Sequence, residues 1–121
     1  MPESSSPNSV SENAVVVQRA YEFNLWLLRK VEKFPRSFRF SVGDRIVARA
    51  FDVVEGLTAA AWAHDKRAPL ERALSDINGL RILLRTATDL GLLKDNAPEF
   101  VAAKLEEIGR MAGAWRKSLR Q

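Results

Sequence analysis

No cysteine occurs in the 121 residues. Disulfide frameworks and Cys-ligated metal sites are therefore excluded, which suits a protein of the reducing cytoplasm. Histidine is almost as scarce. The single copy, His64, has no Glu-x-x-His pattern near it, so neither a zinc site nor a di-iron bundle centre has its ligands. A Ser-His-Asp arrangement has little support on the same ground. No Gly-rich phosphate loop is present; Gly79, Gly109 and Gly113 fall inside helical patterns, where close packing is their expected role. The reading is a non-enzyme with no catalytic residue, metal site or cofactor. No apolar run approaches the roughly 20 residues of a membrane span. Residues 1–12 are rich in Ser, Pro and Asn and carry no cationic start, so they read as a disordered lead-in rather than a signal peptide. Residues 13–121 are then one soluble domain.

Strand patterns are missing too, and what remains is helical periodicity. From about Val10 to Lys33, Ala20, Phe23, Leu27 and Val31 form one apolar stripe, with Val17, Tyr21, Leu25 and Leu28 beside it. A second helix is expected from about Val42 to His64, with Ile46, Ala50, Val53, Val54, Leu57 and Ala61 inward. Gly56 and Ala59 to Ala61 leave room there for a close neighbour. A third, with Pro69 in its first turn, carries Leu70, Leu74, Ile77, Leu80, Leu84 and Ala87 and should end at Gly91 in the left-handed conformation. A fourth, with Asn96 as N-cap, repeats Val101, Leu105, Ile108, Ala112, Trp115 and Leu119 at spacings of four and three. Short links between four such helices predict an all-α, up-down-up-down antiparallel four-helix bundle.

Charge is unevenly spread. The chain is +4 overall, yet Arg29 to Arg49 holds seven cations against two anions. That segment carries the entire excess. At its centre, Lys33-Phe34-Pro35-Arg36-Ser37-Phe38-Arg39-Phe40-Ser41 alternates cations with rings. Pro35 should stop the first helix near Phe34, and Ser41 with Asp44 has capping-box spacing for the second. Arg45 and Arg49 lie four apart, as do Arg81 and Arg85, and the topology directs both pairs towards the corner holding Arg36 and Arg39. A basic zone of this kind fits phosphates, which the planar guanidinium fork grips with two hydrogen bonds. A solvated or salt-bridged cationic face would give the same pattern. Phe34, Phe38 and Phe40 either stack on unpaired bases or plug the bundle end. Arg116, Lys117 and Arg120 sit at the other end and complement a helix dipole.

Several of these motifs occur together in one family. Glu32-Lys33-Phe34-Pro35-Arg36-Ser37, Gly43-Asp44-Arg45-Ile46, Leu80-Arg81-Ile82-Leu83-Leu84-Arg85 and Ile108-Gly109-Arg110-Met111-Ala112-Gly113-Ala114-Trp115 resemble the accessory variability determinant (Avd) proteins of diversity-generating retroelements. They also resemble Avd relatives encoded in intervening sequences of bacterial large-subunit ribosomal RNA genes. The resemblance covers about Tyr21 to Leu119. It implies a four-helix bundle that assembles as a ring-like homopentamer and binds RNA, or DNA, together with the retroelement's reverse transcriptase. Arg36, Arg81 and Arg85 are the cations it singles out. The intervening-sequence branch implies instead a structural or protein-interaction module without a nucleic-acid ligand. The apolar width of the first helix, with Trp26, Phe51 and Trp62 off the narrow seams, independently suggests an oligomer.

Overall fold

The computed structural model describes residues 10–119. Residues 1–9, most of the expected lead-in, lie outside them, as does Arg120. Four long helices carry the fold: α1 (Val10–Glu32), α3 (Asp44–Trp62), α4 (Arg67–Asp89) and α5 (Ala97–Ser118). A single turn, α2 (Arg36–Phe38), and a π-helical turn (Arg39–Gly43) lead from the corner into α3. Among the described residues there is no strand. Each long helix packs on the next and α5 returns to α1, which is the antiparallel four-helix bundle expected from the periodicity.

The inward residues come from all four helices. Of the two stripes on α1, Ala20, Phe23, Leu27 and Val31 enter the core, while Tyr21 stays exposed and Val17 is half-buried. Ile46 and Leu57 of α3, Ile77 and Leu80 of α4, and Ile108 and Trp115 of α5 meet them with almost no exposed surface. Burying each such large side chain contributes roughly 1.5–3 kcal/mol. Asn24, only 2% exposed, is the one polar residue in this core among the described residues. Small residues bring α3 and α4 together as expected: a Cβ on Gly56 would lie 3.2 Å from that of Ala73. Ion pairs tie the rims, Arg19 with Glu107 between α1 and α5 and Arg116 with Glu71 between α5 and α4.

The connections decide which residues share an end. α3 stops at Trp62, where Lys66 Nζ donates to the carbonyls of Ala60, Ala61 and Ala63, filling acceptors the helix leaves open. α4 closes as the sequence predicts. Gly91 takes φ 76°, and the Leu92 and Gly91 amides donate to the carbonyls of Ala87 and Thr88, the Schellman pattern. Asn96, by contrast, makes no side-chain cap on α5; it adopts helical dihedrals, and the Ala97 amide bonds the Lys94 carbonyl instead.

The corner differs from its expected form for a definite reason. Pro35 ends α1 but also starts the next helix, its carbonyl accepting from the amides of Phe38 and Arg39 at 3.0 and 2.9 Å. Helical backbone is thus already running before Ser41, which leaves no free amides for Ser41 to cap. Its hydroxyl donates back to the Ser37 carbonyl at 2.9 Å. Gly43 then passes so close to α1 that a Cβ would sit 2.9 Å from Val31 Cγ1 and 3.2 Å from the Phe38 carbonyl. Any larger residue would have to displace the Val31 side chain and crowd the Phe38 carbonyl.

Candidate nucleic-acid interface

Antiparallel pairing puts the 33–43 corner beside the 90–96 connection. Between them lies a groove of about 280 Å³ lined by Lys30, Lys33, Pro35, Leu92, Lys94 and Asp95. Lys94 is a cation that periodicity alone does not bring to this site; only the fold of the α4–α5 link does. Lys33, Arg36, Arg39, Arg45 and Lys94 have no ion-pair partner among the described residues. Cations without an ion-pair partner therefore outnumber the one carboxylate of the groove at this end of the bundle, where their fields add.

The three corner rings have separate fates. Phe34 is 5% exposed and plugs the bundle end, and Phe38 is half-buried against the core. Phe40 is 61% exposed. The guanidinium carbons of Arg36 and Arg39 each lie 5.4 Å from its ring centre, within reach of a cation–π attraction. Arg39 also donates from Nη1 to the Glu32 carbonyl at 3.2 Å, so one arm of the pair is anchored on the end of α1. The π-helical turn is what sends Phe40 outward while Gly43 goes in.

The helical arginines are placed by α4. Arg45 is exposed. Arg49 lies across the Gly79 backbone, with its Nε 3.8 Å from Asp76 Oδ1. Arg81 reaches away from α3, donating to the Leu105 carbonyl of α5 and to Asn78 Oδ1, both at 3.2 Å; Gly109 leaves it room. Arg85 pairs with Asp89 at 3.9 Å on the surface. Arg81 and Arg85 line a groove of about 410 Å³ between α4 and α5, with Thr88, Pro98 and Glu106. The structure thus brings Arg36 and Arg39 together on Phe40, and Arg81 and Arg85 together in the α4–α5 groove. Arg49 occupies the α3–α4 side.

Asp76 is the one group among the described residues whose titration moves clearly. Burial raises its carboxyl above the ordinary 3.8, the Asp52 charge adds to the rise, and Arg49 and Arg72 oppose it. A carboxyl that binds its proton more tightly when folded supports stability at low pH and loses that support as pH rises through its folded value. Asp76→Asn should therefore melt near the parent at pH 3 and above it at pH 7, read by thermal unfolding at both. A lower melting temperature at pH 7 would mean that the Arg49 pair outweighs burial.

Among the described residues no trio of His, Asp or Glu is placed to hold a metal ion, and no helix is long and apolar enough to cross a membrane. The bAvd-like family model matches residues 14–119. The chain belongs to the bAvd-like family. No curated protein matches it, and no solved structure does. The matched span of this bAvd-like chain takes in the corner, most of α1, the other three long helices and every arginine placed in the candidate site.

Proposed function

We propose that this protein is a non-enzymatic, nucleic-acid-binding accessory factor that partners a retroelement's reverse transcriptase in mutagenic retrohoming, in the cytoplasm. Family membership over residues 14–119 supports the partner. The observation that carries nucleic-acid binding is the set of cations without ion-pair partners around Arg36, Arg39, Arg45, Lys33 and Lys94. RNA is the first ligand and DNA the second. Arg49, Arg81 and Arg85 extend the contact along the helices. A ring-like homopentamer would repeat the basic end several times and strengthen phosphate contact by avidity. Apolar surface supports such an assembly: Trp62 is 86% exposed, and Phe51, Tyr21 and Ile82 are exposed as well.

The test is affinity for structured RNA across a salt series, with heparin as a plain polyanion, and co-purification with the reverse transcriptase. RNA affinity should exceed heparin affinity and fall steeply with salt. Equal affinity for both, with no reverse transcriptase retained, would leave a module that docks acidic partners.

A further inference from the structure

We infer that Phe40 is a stacking platform for an unpaired nucleobase, with Arg36 and Arg39 gripping the phosphates on either side. This rests on the nucleic-acid reading above and narrows it to single-stranded segments. Three observations carry it. Phe40 is a large ring held in solvent, 61% exposed, at the end of the bundle where cations lack ion-pair partners. It is held there by backbone, because the π-helical turn is closed by Ser41 on the Ser37 carbonyl and by Gly43 wedged against Val31. Its neighbours are two arginines 5.4 Å from the ring centre, a loose contact rather than a packed one.

A base offers the ring more than a guanidinium does. A base presents a whole π-face, whereas an exposed cation–π contact is weak. The arginines displaced from the ring are then already beside the phosphates of the bound nucleotide, and Arg39 keeps its foothold on Glu32. Lys33 and Lys94, in the adjoining groove, continue the cationic track for the backbone. Bases inside a duplex are stacked on one another and only its two end pairs offer a free face, so a long duplex gains almost only the phosphate contacts.

The experiment uses the full chain, a single-stranded RNA carrying one 2-aminopurine, and a blunt RNA duplex of the same length. Phe40→Ala should weaken the single strand roughly tenfold, leave the duplex within about twofold, and abolish much of the 2-aminopurine quenching on binding. Phe40→Tyr should restore both. Circular dichroism and sedimentation of both variants should match the parent. Equal loss on single strand and duplex, or no loss, overturns the platform while leaving phosphate binding intact. A changed oligomeric state in Phe40→Ala overturns it in favour of a subunit contact. A parent protein that binds neither RNA removes the platform and the nucleic-acid reading together.

Discussion

Exchanging Arg36, Arg39 and Arg45 together for Gln should lower RNA affinity roughly ten- to a hundredfold at moderate salt and take about 2 from the slope of log affinity against log salt. Among the described residues none of these arginines has a carboxylate within ion-pair distance. Their charge is therefore free to replace the counterions of a polyphosphate. Gln is two atoms shorter and gives up the Arg39 bond to the Glu32 carbonyl, but it keeps a polar side chain and good helix propensity, so the corner should stay folded. Arg81→Ala with Arg85→Ala is the comparison. Arg81 already spends two guanidinium nitrogens on Leu105 and Asn78, and Arg85 faces Asp89, so that double variant should lose less. Fluorescence anisotropy on one RNA over a salt series ranks the two. The reverse ranking would move the main contact to the α4–α5 groove.

Most of the bundle was legible because its determinants are local or periodic. Pro35 and Gly91 act through their own dihedrals, and the stripes on α3, α4 and α5 repeat at helical spacing, so breaks and buried faces follow from the residues themselves. The exception is that α3 buries Ala60 and leaves the expected Ala61 exposed. Two expected side-chain capping bonds do not form because neighbours set the backbone first, although Asn96 does hold the N-cap position of α5. Ser41 is overtaken by a helix that starts at Pro35, and Asn96 by a turn in which Asp95 takes a φ of 56°. The site was legible in composition but not in grouping. Sequence spacing places Arg45 with Arg49 and Arg81 with Arg85. It cannot show that Gly79 is the floor under Arg49 or that the Leu105 carbonyl draws Arg81 towards α5. Nor does alternation of cations and rings reveal that Phe34 turns in and Phe40 out. Phe34 turns in at the close of α1, whereas Phe40 lies in the π-helical turn, whose extra residue has no period to detect.

Phe34 gives the largest expected effect on stability. Phe34→Ala should cost roughly 3–5 kcal/mol, the usual range for removing a buried aromatic ring. At about 4–8 °C per kcal/mol for a domain near this size, the melting temperature should fall by more than about 12 °C. The ring is 5% exposed, lies 3.5 Å from where a Gly43 Cβ would stand, and forms part of the wall facing Leu92 and Gly91. Little can collapse into the space it leaves, because Gly43 is already hard against Val31 and the Phe38 carbonyl. Phe40→Ala, six residues on, removes the same atoms from a ring in water and should stay within about 0.5 kcal/mol of the parent. Denaturant unfolding of the two variants at one protein concentration makes the comparison, since assembly would make stability concentration-dependent. A loss below about 1 kcal/mol for Phe34→Ala would show that the bundle end is not sealed by this ring. The predicted contrast also separates two roles that alternate along one short segment: the inward phenylalanine holds the corner in place, and the outward one is left free to meet a ligand.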